Sequence, residues 1–146
     1  KNAYLKNAYL ESIRLPERMH RQFLEVIELE LEPLSFCDIN SVQALILYNV
    51  GDEELTVGEL SHRGYYLGSN VSYNLRHMTE RGYVVTERYT QDRRSIRIKL
   101  SSRGRTLRRE PDIMFGRQAA SLQIGNVSAS DFLSVTTTMR KLERFF

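Results

Sequence analysis

Apolar residues recur with the period of an α-helix over the first third of the chain. Between Pro16 and Pro33 they lie mostly three or four positions apart, at Met19, Phe23, Val26, Ile27 and Leu31. This spacing predicts an amphipathic helix that stops before Pro33 and begins anew, or kinks, at Pro16. A second, more apolar helix is expected to follow, with Asp38 or Asn40 as its N-cap and Gly51 at its end.

Two short helices joined by a tight turn are predicted next. The run Thr56-Val57-Gly58-Glu59 has the pattern of a capping box, in which the threonine and the glutamate satisfy each other's helix-terminal N–H groups. Gly64 and Gly68 mark a tight connection, and a further helix is expected over residues 69–81, closed by Gly82. This arrangement is typical of a helix-turn-helix.

A β-hairpin is predicted after the helix-turn-helix. Residues 83–89 are rich in β-branched and aromatic side chains, and residues 96–100 alternate between apolar and basic. The polar residues 90–95 between them form the expected turn, with arginines at its tip.

The last third of the chain again has helical spacing. One helix is predicted over about residues 102–122, interrupted by Pro111 because a proline inside a helix removes a hydrogen bond. A final helix, with Ser128 or Ser130 as its N-cap, carries an apolar stripe at Phe132, Val135, Met139, Leu142 and Phe146. The predicted fold is therefore mainly α with a small β-hairpin wing (α+β), a winged helix-turn-helix core between N- and C-terminal helices.

The helix at residues 69–81 is expected to offer hydrogen-bonding side chains to solvent. Val71, Leu75 and Met78 form a stripe for burial, which leaves the polar residues on the exposed faces. These are Ser69, Asn70, Ser72, Tyr73, Arg76, His77 and Glu80. Such side chains suit the donors, acceptors and thymine methyls of the DNA major groove. The alternative is an ordinary amphipathic surface helix.

The hairpin turn contains Asp92, Arg93 and Arg94. An arginine at a loop tip can enter a narrow minor groove, and a neighbouring aspartate can hold its guanidinium at a fixed angle. The alternative is a solvated turn with a local salt bridge.

The charge is unevenly distributed along the chain. Residues 1–61 carry a net charge of −6, residues 62–109 carry +9, and residues 110–146 are neutral. A basic centre between acidic or neutral arms favours a module that binds a polyanion, although a solvated basic face is the alternative. The acidic first helix would be repelled by phosphate and is expected to lie away from any DNA.

The run from Asn40 to Gly104 resembles the winged helix-turn-helix core of the MarR family. The matching stretches are Ser41-Val42-Gln43, Leu55-Thr56-Val57-Gly58-Glu59-Leu60, Ser69-Asn70-Val71-Ser72, Glu80-Arg81-Gly82-Tyr83-Val84, Asp92-Arg93-Arg94-Ser95 and Ile98-Lys99-Leu100-Ser101-Ser102-Arg103-Gly104. The resemblance implies a bacterial-type transcription regulator that binds double-stranded DNA as a homodimer on a pseudopalindromic operator.

The resemblance also implies a role for each region. Residues 1–37 and 103–146 would be dimerisation regions, and residues 38–102 the DNA-binding core. By position, Asp92 and Arg94 would be the wing pair, with Arg94 in the minor groove, and Arg93 is a further DNA-binding residue expected in the turn. The residues implied or expected to face the major groove are Ser69, Asn70, Ser72, Tyr73, Arg76 and His77.

Many MarR relatives respond to small phenolic or aromatic ligands, and some respond to oxidants through a cysteine. A small aromatic effector is therefore a candidate partner. Cys37 is a candidate redox residue, although a lone cysteine is more often inert and buried.

Other function classes find little support in the sequence. The catalytic motifs of common hydrolases, phosphate-binding loops and zinc proteases do not occur, so neither an enzyme nor a cofactor is expected. The histidines lack ligand spacing, no apolar run is long enough for a membrane span, and the single cysteine suits the reducing cytoplasm. The alternative function is a winged-helix module for protein or RNA contacts.

Overall fold

The computed structural model describes residues 2–34, 38–64, 68–88 and 96–146, except for the side chain of Ser69. Its contacts divide the chain into two units, residues 1–109 and residues 110–146. In the described ranges the elements are α1 (Asn2–Leu31), α2 (Ser41–Val50), β1 (Leu55–Thr56), α3 (Val57–Arg63), α4 (Gly68–Glu80), β2 (Val84–Arg88), β3 (Ile96–Leu100), α5 (Ser102–Ile124) and α6 (Ala129–Glu143).

Side-chain caps fix where two helices begin. Asn40 and Gln43 form a complete capping box at α2: Asn40 Oδ1 accepts the Gln43 N–H at 2.9 Å, and Gln43 Oε1 accepts the Asn40 N–H at 3.1 Å. Ser128 and Asp131 form the same arrangement at α6. The hydrogen bond from the Ser128 N–H lowers the pKa of Asp131. Each cap is one of the two candidates predicted.

The predicted interruption at Pro111 is wrong, and no new helix begins at Pro16. α1 runs through Pro16 for 30 residues, and α5 runs through Pro111 for 23 residues. A proline costs a helix one hydrogen bond and some steric strain, but the turns on either side remain bonded. Pro111 is also fully buried, so its apolar ring offsets part of that cost.

The predicted hairpin is part of a three-stranded antiparallel sheet with the order β1-β3-β2. Val84 pairs with Leu100 and Arg88 with Ile96, as expected for a hairpin. Strand β1 was not predicted, because a strand of two residues is too short to show the alternation of apolar and polar side chains. Thr56 ends this strand and also caps α3, with Oγ1 accepting the Glu59 N–H at 3.1 Å.

Helix α2 lies at the centre of the first unit. Seven of its ten residues are buried, and it contacts α1, α3, α4 and β3. Each of these four elements contributes an apolar side chain with no exposed surface: Ile27, Leu60, Met78 and Ile98. The core of the unit is therefore built around α2.

The start of α5 is held against the carbonyl of Tyr83. The Ser101 N–H donates to Tyr83 O at 3.0 Å, and Ser101 Oγ accepts the Gly104 N–H at 3.1 Å. These bonds bring the backbone of Gly104 so close that a Cβ there would overlap the Tyr83 oxygen and crowd Leu100. Position 104 therefore requires glycine for lack of space.

We expect Gly104→Ala to lower the free energy of unfolding by about 1–3 kcal/mol, because a buried methyl group would push α5 away from Tyr83. Gly116→Ala is the matched control in the same helix, since a Cβ there meets nothing within 4 Å. The control should be stabilised by about 0.5–1 kcal/mol through higher helix propensity. Urea unfolding of both variants makes the comparison; equal stability of the two would contradict this packing.

Candidate nucleic-acid interface

Helix α4 has a buried face and an exposed polar face. Val71, Leu75 and Met78 are 1%, 5% and 0% exposed, which confirms the stripe predicted for burial. The opposite face leaves Asn70, Ser72, Tyr73, Arg76 and Glu80 exposed, as predicted. Ser69 lies in the first turn of α4, and its side chain is outside the described part of the chain. The structure thus places most of the residues that were predicted to face the major groove on one face of α4.

His77 differs from its predicted exposed position. It is half-buried, and its Nδ1 lies 3.3 Å from Gln43 Nε2. Its ring stacks on Tyr73 with a centroid distance of 5.8 Å and an interplanar angle of 14°. Tyr73 itself is 61% exposed. The reason is the hydrogen bond to α2, which draws the imidazole away from solvent and leaves the tyrosine as the outer member of the pair.

Two residues with amide side chains lie beneath this face, and their role was not predicted from the sequence. Gln43 is 2% exposed and Asn74 is 6% exposed, and Gln43 Nε2 donates to Asn74 Oδ1 at 3.0 Å. Asn74 Nδ2 in turn donates to Asn70 O at 2.7 Å. The available signal was position: Asn74 lies between Val71 and Leu75 on the buried stripe, where a polar side chain requires a partner.

A hydrogen-bonded cluster anchors the C-terminal end of α4. The Tyr83 hydroxyl donates to Asp38 Oδ2 at 2.6 Å, and Arg103 Nη2 donates to the Tyr83 hydroxyl at 3.1 Å. Arg103 Nη1 donates to Arg81 O at 2.7 Å, while Arg81 donates to Asp38 O. Burial, with the hydrogen bond to Asp38, raises the pKa of Tyr83, so its hydroxyl keeps the proton that it donates. The cluster joins the end of α4 to the segment before α2 and to α5.

A cleft of about 450 Å³ lies between α4 and the strands β2 and β3. Its lining is mixed apolar and polar: Val57, Ser72, Leu75, Arg76, Thr79, Glu80, Thr86, Arg88, Ile96 and Ile98. Arg76 and Arg88 therefore border one cleft from the helix side and the strand side. On the strands, Lys99 Nζ lies 3.7 Å from Glu87 Oε1, and this carboxylate partly offsets the positive charge of the lysine.

Several predicted residues fall outside the described part of the chain. These are Cys37 and the residues of the hairpin turn, Asp92, Arg93 and Arg94. Within the described ranges, no group of three or more His, Cys, Asp or Glu is placed to hold a metal ion. None of the helices described there is both long and apolar enough to cross a bilayer.

Residues 39–104 match the family of winged helix DNA-binding domains. The matched segment begins beside the Asn40 cap, includes α4 and the sheet, and ends at Gly104 against Tyr83. The chain therefore contains a winged helix DNA-binding domain, at the place where the exposed polar face of α4 lies.

A curated relative is the exopolysaccharide II synthesis transcriptional activator ExpG of Rhizobium meliloti (strain 1021). The two are 42% identical over 99 residues, which make up 68% of this chain and 51% of the relative. The chain thus spans about half the length of the curated relative that it matches.

Two solved structures share the fold over nearly the whole chain. The S. aureus MepR–DNA complex matches with a TM-score of 0.71 and 18% identity, over 91% of this chain and 96% of that chain. A mutant MarR from E. coli complexed with operator DNA matches with a TM-score of 0.69 and 18% identity, over 93% of this chain and 96% of that chain. They confirm the predicted winged helix-turn-helix fold of the MarR type. These regulators, ExpG and the domain match also agree with the prediction that the chain is not an enzyme.

Proposed function

We propose that this protein is a sequence-specific transcription regulator that binds double-stranded DNA with α4 in the major groove. One observation carries the proposal: within a winged helix DNA-binding domain, α4 keeps a polar face exposed opposite a buried apolar stripe. In this fold class the second helix of the helix-turn-helix is the one that reads base edges. The target genes of a bacterial-type regulator lie in the cytoplasm. We therefore place the action of this protein there.

The exposed side chains of α4 have the chemistry for base readout. Asn70 can bond an adenine edge, and Arg76 can bond a guanine edge through two N–H groups. Ser72 and Tyr73 add shorter polar and aromatic contacts. The residues that we propose for the major groove are Ser69, Asn70, Ser72, Tyr73, Arg76 and His77, with His77 acting chiefly through Tyr73. Those that we propose for the wing are Asp92, Arg93 and Arg94.

The structural relatives support a duplex DNA partner. MepR and the MarR mutant were each crystallised with DNA, and ExpG is named a transcriptional activator. The net charge of +9 on residues 62–109 favours the same polyanion. RNA or a protein partner for this winged helix is the alternative that the binding experiment below must exclude.

The distribution of exposed apolar side chains supports a homodimer. Eight large apolar side chains are exposed on α1 and eight in residues 110–146, against two, Tyr73 and Val85, in the described residues between them. Helix α6 has no buried residue at all, although the predicted stripe lies on it. Apolar surface of this extent on a regulator calls for a cover, and a second copy supplies it with two-fold symmetry.

We accordingly assign dimerisation to residues 1–37 and 103–146 and DNA binding to residues 38–102. A dimer would present two copies of α4 to an operator with two inverted half-sites. Modulation by a small aromatic ligand belongs to the same proposal; its support is the resemblance to a family with ligand-responsive members.

The first test compares Arg76→Ala with Arg140→Ala, a control that removes the same charge from an exposed position of α6 outside its apolar stripe. The probe is the duplex that the wild-type chain enriches from a randomised pool, called here the selected duplex. We expect Arg76→Ala to weaken binding by about tenfold or more, the usual effect of losing one base contact, and Arg140→Ala to leave it unchanged.

Fluorescence anisotropy over a range of salt concentrations measures both variants. Wild-type affinity should fall steeply with salt because phosphate contacts release counterions. Equal weakening by both arginine variants, or competition by an RNA of the same sequence as strong as that by the duplex, would overturn the assignment of α4 as a DNA reader.

The second test places a carboxylate on each side of α6. Val135, which is 59% exposed, belongs to the apolar stripe, whereas Thr137 lies about 200° further around the helix. Val135→Asp should dissociate the dimer because it buries a charge in the interface, and Thr137→Asp should not. Sedimentation equilibrium reports the masses; a monomeric wild type, or a Val135→Asp dimer as tight as the wild type, would contradict the proposed interface.

A further inference from the structure

Three polar side chains connect α2 to α4 below the exposed face. Gln43 Nε2 lies 3.0 Å from Asn74 Oδ1 and 3.3 Å from His77 Nδ1. Gln43 and Asn74 are among only three polar residues that are buried in the described part of the chain. Ser41, the third, has its backbone N–H bonded to Glu28 Oε1 of α1. Gln43 and Asn74 are thus an amide pair inside an otherwise apolar contact.

The polarity of the amide pair is fixed from both ends. At one end the Asn40 N–H can only donate, so the atom of Gln43 that faces it is Oε1, and Nε2 points toward α4. At the other end Asn70 O can only accept, so Nδ2 of Asn74 faces it and Oδ1 faces Gln43. Neither amide can be reversed without placing two like groups against each other.

His77 completes the network. The two N–H groups of Gln43 Nε2 serve Asn74 and His77, so His77 Nδ1 must accept and its proton lies on Nε2. The imidazole held in this way lies beneath the ring of Tyr73, which is 61% exposed. The network therefore ends at two of the proposed reading residues: at the backbone of Asn70 and at the ring of Tyr73.

We infer that Gln43, Asn74 and His77 are positioning residues that set the rotation of α4 about its axis and the orientation of Tyr73, and so determine which bases are preferred. This inference rests on the proposed function. If α4 rotated or slid by one residue, the bonds from Gln43 to Asn74 and His77 would break, at about 1–3 kcal/mol for each group left unsatisfied. Apolar contacts alone tolerate such shifts better, because they are not directional.

The network should govern specificity more than overall affinity. Its members are buried or half-buried, and the side-chain hydrogen bonds described above are directed into the protein. Contacts to phosphate, which give most of the sequence-independent affinity, come from other groups and need less exact placement than base contacts. Loosening α4 should therefore reduce the preference for the selected duplex and leave binding to a random duplex largely intact.

The experiment substitutes Gln43→Met, which keeps the side-chain length and removes the contacts of the amide with Asn74, His77 and the Asn40 N–H. Thr79→Val is the control: it removes the hydroxyl that donates to Leu75 O at 2.7 Å within α4, outside the network. We measure the affinity of each full-length variant for the selected duplex and for a random duplex, with the salt dependence of each. Gln43→Met should lower the ratio of the two affinities by about tenfold, the effect of one mismatched base pair, with the salt slope unchanged. Thr79→Val should leave the ratio as in the wild type.

The double variant Gln43→Met/Asn74→Leu separates positioning from stability. Replacing both partners of a buried hydrogen bond by apolar groups can restore much of the stability that a single replacement loses. We expect the double variant to recover stability in urea unfolding relative to Gln43→Met, but to keep the lowered affinity ratio.

Two results would overturn the inference while leaving the proposed function intact. One is a Gln43→Met ratio equal to that of the wild type; the other is an equal loss of affinity for both duplexes that the double variant reverses, which would indicate a purely structural role. If the wild-type chain itself shows no preference for any duplex, the proposed function fails, and the inference fails with it.

Discussion

Helix α2 contacts α1, α3, α4 and β3, and the orientation of each depends on side chains that α2 keeps buried. Apolar residues supply most of this contact, with Ala44, Ile46 and Leu47 fully buried. Polar groups at its surface add direction: the Ser41 N–H bonds Glu28 of α1, and Gln43 bonds Asn74 of α4. Burial stabilises the packing, while the few hydrogen bonds restrict it to one arrangement.

The face of α4 proposed to bind DNA is thus supported from two directions. Beneath its middle lies the amide pair from α2, and at its C-terminal end lies the cluster of Asp38, Tyr83 and Arg103. The Tyr83 carbonyl also receives the start of α5, where Gly104 leaves no room for a side chain. Chain segments far apart in sequence therefore meet beneath the middle and at the C-terminal end of one helix, and these two contacts hold its exposed face. Such a rigid support is what a recognition helix needs in order to distinguish base sequences.

Much of the fold could be predicted because its signals are local. The stripe of Val71, Leu75 and Met78 and the hairpin strands follow from spacing and from residue type, which also narrow the N-cap of α2 to Asp38 or Asn40. The helices that continue through Pro16 and Pro111 were not predictable from local rules, because neighbouring turns compensate for the lost hydrogen bond. His77 and Asn74 were misjudged or missed for a different reason: their partner, Gln43, lies more than 30 positions away and only the fold brings it near.

The central claim is that this chain reads DNA sequence with two symmetry-related copies of α4. Its most direct test is to let the wild-type protein select from a pool of randomised duplexes and to sequence the enriched fraction. The claim predicts two inverted half-sites whose centres lie about 10–10.5 base pairs apart, one turn of the double helix. No enriched sequence, or a single site without two-fold symmetry, would contradict it.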